Sequence, residues 1–149
     1  MRYRLELEIY RPRDRVLELF LDPRNLPRWQ PDLVSFDPVS AGKARDVGTK
    51  TRQVHKMGGR EVEILETITV RDYPDRFCAT YEADNVWNLV ENRFIDVGGR
   101  KTRWILDSEF RCTGVAMNLM SFLLPGMFKK QTVTFMKRFK EFAERSGNE

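Results

Sequence analysis

The stretch MSFLLPGMFKKQTVTFMKRFKEFAER, residues 120–145, decides the architecture. Met120, Leu123, Leu124, Phe128, Thr132, Phe135, Met136, Phe139, Phe142 and Ala143 recur at spacings of three and four, the signature of one face of an α-helix. Lys129, Lys130, Lys137, Arg138, Glu141 and Glu144 fall off that stripe. Helical periodicity runs from Val115 to Arg145, and Pro125-Gly126 predicts a break into two segments, because proline removes a ladder hydrogen bond. The run around Val115 to Phe128 is apolar, but Asn118, Ser121, Pro125 and Gly126 interrupt it, and it is too short to span a bilayer.

Upstream of this helix the period changes to two. Strands are predicted near Leu33–Pro38, Val47–Met57, Arg60–Arg71, Arg76–Ala83, Trp87–Val97 and Lys101–Cys112. Their breaks carry turn chemistry: Ala41-Gly42, Gly58-Gly59, Tyr73-Pro74-Asp75, Ala83-Asp84-Asn85 and Gly98-Gly99. Short turns make consecutive strands antiparallel. At the N-terminus Tyr3, Leu5, Leu7 and Ile9 alternate with polar residues, a further half-buried strand. Pro12 suits a helix start, Val16, Leu17, Phe20 and Leu21 keep helical spacing, and Asp22-Pro23 ends the segment. A second short helix is expected between Asn25 and Trp29, closed by Pro31. The fold class is therefore α+β over residues 1–149 as a single domain: a curved seven-stranded antiparallel sheet around a long C-terminal helix, with two short helices after strand 1.

Composition narrows the function. With 149 residues and a hydrophobic fraction of 41%, the chain can bury a core without a metal or disulfide staple. Its 26 Lys+Arg against 22 Asp+Glu give a net charge of +4, and both signs are interspersed. No basic stripe for nucleic acid results, and the cluster Lys129, Lys130, Lys137, Arg138 and Lys140 reads as a solvated helix face. Cys78 and Cys112 match no metal motif and lie on strands separated by a third, beyond disulfide reach, so free thiols and a cytoplasmic location are expected. The N-terminus lacks an apolar signal core. No transmembrane segment is expected; a peripheral membrane contact stays open, as does the oligomeric state.

Sharp catalytic motifs are missing from the sequence: no phosphate loop, no serine elbow, and a single histidine, His55, which excludes a zinc site of the usual kind. No metal or cofactor is expected. Two titratable residues are candidates for chemistry. His55 is in phase with Val47, Thr49, Thr51 and Gln53, and a histidine titrates near neutrality. Glu66 is in phase with Val62, Ile64, Ile68 and Val70, and an acid on an apolar face must be paired, hydrogen-bonded or neutral unless a β-bulge returns it to solvent. Tyr81 is a polar tip among Phe77, Ala79 and Ala83. Asn88 and Asn92 share a face, but which face of the Trp87–Val97 strand points inward is undecided from the pattern.

The element order resembles the START-like superfamily, also called SRPBCC or helix-grip proteins, which includes pollen-allergen-like proteins, lipid-transfer START domains, polyketide cyclases and coenzyme Q-binding proteins. The resemblance covers nearly the whole chain and looks closest to the bacterial polyketide cyclase/dehydrase branch. It rests on Arg11-Pro12, the Leu26 to Pro31 segment, Val47-Gly48-Thr49, the Gly99 to Trp104 segment and Pro125-Gly126. It implies a cavity between sheet and C-terminal helix that holds a small hydrophobic molecule, lipid-, polyketide- or quinone-like. Trp104, Phe110, Phe128, Phe135 and Met136 would then touch its apolar body, and Gln53, His55, Glu66, Tyr81 and Asn92 its polar end. The mouth is expected near Pro125-Gly126, with Leu123, Leu124, Met127 and Phe128 as an apolar gate. Two alternatives differ in class: a cyclase- or dehydratase-type enzyme in which Glu66 or His55 moves protons, and a partner-binding or assembly module with a collapsed cavity.

Overall fold

A computed structural model describes residues 1–43, 46–57, 59–73, 75–113 and 125–146. Strand β1 (Arg2–Ile9) leads into helix α1 (Arg13–Leu21), a 3₁₀ turn (Pro23–Asn25) and helix α2 (Leu26–Trp29). Six strands follow: β2 (Leu33–Pro38), β3 (Lys50–Met57), β4 (Arg60–Asp72), β5 (Arg76–Ala83), β6 (Val86–Val97) and β7 (Lys101–Cys112). Helix α3 (Pro125–Arg145) closes the fold. The strands form one seven-stranded sheet in the order β1-β7-β6-β5-β4-β3-β2. Every pairing is antiparallel, so the sheet is a run of hairpins to which β1 is added at the β7 edge.

Turn chemistry places the hairpins. Gly98 and Gly99 both take positive φ, 67° and 77°, as a tight two-residue turn requires, and Asn85 takes φ 61° in the β5–β6 turn. One expected boundary moves. β3 begins at Lys50 and not at Val47, because Asp46 to Thr49 form a turn with Gly48 at φ 87°. Thr49 donates to the Asp46 carbonyl from both its amide (3.0 Å) and its hydroxyl (2.7 Å), and Val47 is exposed rather than in phase with the inward residues. Pro125, at the expected break, is the first described residue of α3. The predicted helical segment Val115–Leu124 lies outside the described residues.

Register defines the inner face. Tyr3, Leu5, Leu7 and Ile9 stand opposite Ser108, Leu106, Trp104 and Thr102, and these stand opposite Val90, Asn92, Phe94 and Asp96. This settles β6: Asn88, Val90, Asn92 and Phe94 point inward, while Trp87, Leu89, Glu91 and Arg93 point outward. Outward charges pair along the sheet, as in Arg4 with Asp107 (2.7 Å) and Arg93 with Glu91 (2.7 Å). The basic cluster of α3 divides: Lys129, Lys130 and Lys137 are exposed, whereas Arg138 bonds Asp32 (2.9 Å) and Lys140 bonds the Glu8 carbonyl (2.6 Å). Both cysteines are free thiols, Cys78 buried and Cys112 half-buried.

The core is packed hardest at one end. Val16, Leu19 and Phe20 of α1, three and four apart, are buried. The Phe20 ring meets Trp29, Phe77, Phe94, Trp104 and Phe139 at centroid distances of 5.1–6.1 Å. Most of these contacts are tilted or edge-on, the arrangement that ring quadrupoles favour. Arg11 donates to the carbonyl of Glu144 and the Tyr10 amide to the Glu144 carboxylate (2.9 Å), which fastens the last turn of α3 to the end of β1. No helix among the described residues is long and apolar enough to cross a membrane.

Candidate functional site

Moving away from the aromatic plug, α3 runs from Phe139 past Phe135 and Thr132 to Phe128. Phe135 lies against Trp29 (4.9 Å) and Trp104 (6.0 Å). Thr132 accepts a hydrogen bond from the Tyr3 hydroxyl (2.6 Å) and donates its own to the Phe128 carbonyl (3.0 Å). The Phe128 ring stacks on Phe110 of β7 at 4.6 Å. Phe110 ends a register row that crosses five strands: Thr51, Glu66, Tyr81, Asn88 and Phe110. One end of the inner face is thus apolar and solid, and the other carries a polar row whose Phe110 end lies against Phe128 of α3.

Glu66 is the unusual member of that row. It is 2% exposed, and its Oε1 has no hydrogen-bond partner among the described residues. β4 does contain a bulge, but between Ile68 and Val70, beyond Glu66. Glu66 therefore keeps phase with Ile64 and Ile68 and stays inward. Past the bulge the phase reverses, so that Val70 opposes outward Cys78 and Arg71 opposes inward Phe77. Thr51, directly across on β3, is 4% exposed, and Tyr81, across on β5, is half-buried. Cross-strand partners hold their Cβ atoms about 5 Å apart, so these side chains share one small volume.

Other inner-face polar groups satisfy one another. The Asn92 carbonyl accepts from the buried Trp104 indole (2.9 Å), and the Asn88 amide donates to Ser108 (2.8 Å) and to the Glu109 carbonyl (3.0 Å). His55 Nε2 meets Gln53 Oε1 at 2.8 Å, which makes that nitrogen the donor. Burial holds the His55 imidazole below its ordinary 6.5, with Asp32 opposing the shift. The neutral ring is thus favoured in the fold. The fold is penalised once pH falls below the unfolded value near 6.5, and the penalty grows until the folded ring itself takes a proton. His55 is the one histidine, so its Cε1 proton gives an unambiguous NMR signal. Its midpoint is expected below 6.5, and a midpoint at or above that value would show the ring to be solvated.

The ten ligand-binding residues expected from the sequence thus fall into three groups. Glu66, Tyr81, Phe110 and Phe128 come together around the polar row. Gln53 and His55 form a bonded pair further along β3. Trp104, Met136 and Asn92 belong to the packed end, being 0%, 1% and 4% exposed, with Phe135 at the border. The expected mouth residues Leu123 and Leu124, and the side chain of Met127, lie outside the described residues. Among the described residues, open grooves of about 660 Å³ beside Arg76, Glu91 and Arg93 and of about 510 Å³ beside Arg4, Asp107 and Glu109 lie, by their charged lining, on the outer face. Three participants go beyond the residues expected from sequence: Thr51 opposite Glu66, and the Tyr3–Thr132 pair that ties β1 to α3. Thr51 was legible from its phase with Gln53. The pair, 129 residues apart, had no signal in sequence.

Comparison with known proteins places this geometry. A Thermus thermophilus protein, TTHA0849, shares the fold with a TM-score of 0.80 at 23% identity, covering 99% of this chain and 100% of that one. The Zhui aromatase/cyclase of Streptomyces sp. R1128 does so at 0.79 and 13%, covering 97% and 94%. A START superfamily protein of Mycobacterium smegmatis does so at 0.78 and 12%, covering 97% of each chain. At these identities the likeness concerns the fold. No functionally curated protein matches the chain in sequence. Residues 2–144, however, match the sequence model of one family, so this START-like helix-grip chain belongs to the family described as polyketide cyclase / dehydrase and lipid transport.

Proposed function

We propose that the chain binds a small, mostly apolar molecule, lipid-, polyketide- or quinone-like, between the inner face of the sheet and α3. Glu66 carries this reading: a buried carboxyl oxygen on the inner face that has no hydrogen-bond partner among the described residues. Leaving such an atom unpaired costs about 1–3 kcal/mol, so stability gives no reason to keep it. A bound molecule that meets it supplies the reason. The apolar body would lie against Phe110, Phe128 and Phe135, with Trp104 and Met136 as its floor. The polar end would reach Glu66 and Tyr81, with Gln53 and His55 beyond and Asn92 bracing the floor. The folds of the aromatase/cyclase and the START protein support the same reading.

The test begins with protein purified from its own host, native mass spectrometry, and extraction of whatever is bound. An uncharged apolar dye should also bind and be displaced by hydrophobic ligands. Phe128→Ala should weaken binding about tenfold through lost apolar contact, whereas Lys137→Ala, exposed on α3, should change it less than about twofold. A dye that does not bind would end the ligand reading and bring forward the partner-binding module.

A second reading, a cyclase- or dehydratase-type enzyme, is favoured by titratable groups on the inner face. His55 lies four residues along β3 from Thr51, the partner of Glu66, or about 13 Å away. The two cannot share a proton, so Glu66 with Tyr81 across from it would do the proton transfer. Conversion of a poly-β-carbonyl chain under single-turnover conditions, lost in Glu66→Gln, supports the enzyme; unchanged recovery of the chain rejects it.

A further inference from the structure

The signs of the inner-face groups restrict what can bind there. The row Thr51, Glu66, Tyr81, Asn88 and Phe110 contains no lysine or arginine, and neither do the next rows of the same inner face, Gln53-Ile64 on one side and Ile68-Ala79-Val90-Ser108 on the other. The cations on neighbouring strands alternate outward, as Arg52 does to pair with Glu63 (2.7 Å). Among the described residues one arginine falls on the inner-face phase: Arg71, which the bulge brings opposite Phe77 and which stays exposed. It lies five residues along β4 from Glu66, about 16 Å away. Its guanidinium is bonded to Asp46 and stacked on Tyr73 at 5.5 Å. Burial lowers the pKa of the His55 imidazole, and its Nε2 is bonded to Gln53. Among the described residues, the ammonium at the row is that of Met1, bonded to the Phe110 carbonyl (3.0 Å) at the exposed far end, so a ligand carboxylate beside Glu66 would meet an acid and no side-chain cation, whereas a hydroxyl or enol would offer Glu66 Oε1 the donor it lacks.

We infer that the ligand presents to Glu66 an uncharged hydrogen-bond donor, the hydroxyl of an alcohol, phenol or enol on an apolar body, and that free carboxylic acids are excluded. This rests on the binding reading above and deepens it. A carboxylate beside a second acid must either keep an uncompensated buried charge or share a proton, and both weaken binding above neutral pH. A methyl ether of the same size repels less but leaves Oε1 unpaired, so it should rank between alcohol and acid.

The experiment is displacement of N-phenylnaphthylamine, an uncharged dye, by two matched sets: decanol, decyl methyl ether and decanoate; naphthol, methoxynaphthalene and naphthoate. It is run at pH about 8, where free carboxylic acids are ionised. In at least one set the alcohol should bind about tenfold or more tighter than the acid, with the ether between. Glu66→Gln, whose amide can donate to an anion, should bring alcohol and acid to within about threefold. The wild-type ranking stands as a test even if that variant does not fold. Acids binding as well as alcohols in both sets would overturn this inference and leave ligand binding intact. Failure of every compound to displace the dye, or of the dye to bind, would overturn the binding reading and this inference with it.

Discussion

Replacing Phe139 by alanine is expected to lower the free energy of unfolding by about 3–5 kcal/mol, the usual cost of emptying a fully packed aromatic site. Phe139 is 0% exposed and sits where every layer meets. Its ring contacts Phe20 of α1 at 5.3 Å, Trp29 of α2 at 5.0 Å and Trp104 of β7 at 5.5 Å, mostly edge to face. No one of these elements can close the gap without leaving the others, so the cavity would persist. A domain of this size is stable by only about 5–15 kcal/mol, which makes the loss a large part of the whole. Chemical denaturation should show the midpoint falling with little change in slope. Lys137→Ala, an exposed position on the same helix, should stay within about 0.5 kcal/mol of the parent. An unchanged midpoint for Phe139→Ala would mean that α3 presents another face to the sheet.

Ala79→Phe should have the largest effect on binding. Ala79 lies on the inner face of β5, between Ile68 and Val90 across the sheet and two residues from Tyr81. It is 1% exposed, and its row separates the aromatic plug from the row of Glu66. A phenyl ring grown there would project from the inner face beside Tyr81, toward the space proposed for the ligand. Overpacking of this kind costs about 1–3 kcal/mol, which a domain of this size can bear. The expected outcome is a folded protein with a moderately lower melting temperature and dye affinity reduced more than about tenfold. Retained affinity in a folded variant would place the ligand elsewhere, with the outer-face groove near Arg76 and Arg93 next to be tested.

Much of this was legible before any tertiary structure, because local chemistry wrote it. Alternation marked each strand of the sheet, with one start misplaced: periodicity carried β3 back to Val47, but a glycine with positive φ at Gly48 ends regular pairing there. Pro12 and Asp22-Pro23 stand where α1 begins and ends, since a missing amide hydrogen acts within a single turn. The common phase of Thr51, Gln53 and His55 along β3, and that of Tyr81 with Phe77 and Ala79 along β5, could be counted on each strand separately.

What the sequence by itself determined, among the described residues, is therefore the strands and helices, the antiparallel order of the strands and the long C-terminal helix. Period, turn chemistry and helix length are properties of consecutive residues. Tertiary structure alone decided which face of β6 is inside, because polar residues alternate on both of its sides and only pairing with Trp104 and Ser108 separates them. It alone decided that the β4 bulge falls after Ile68, which keeps Glu66 buried and sets Arg71 opposite Phe77. It alone decided which polar groups are paired. Asn92 spends its carbonyl on Trp104, 12 residues away, and Tyr3 its hydroxyl on Thr132, 129 residues away, while Glu66 Oε1 receives no partner among the described residues. Hydrogen-bond satisfaction depends on atoms that meet across strands and helix, and no local pattern in the chain records where they meet.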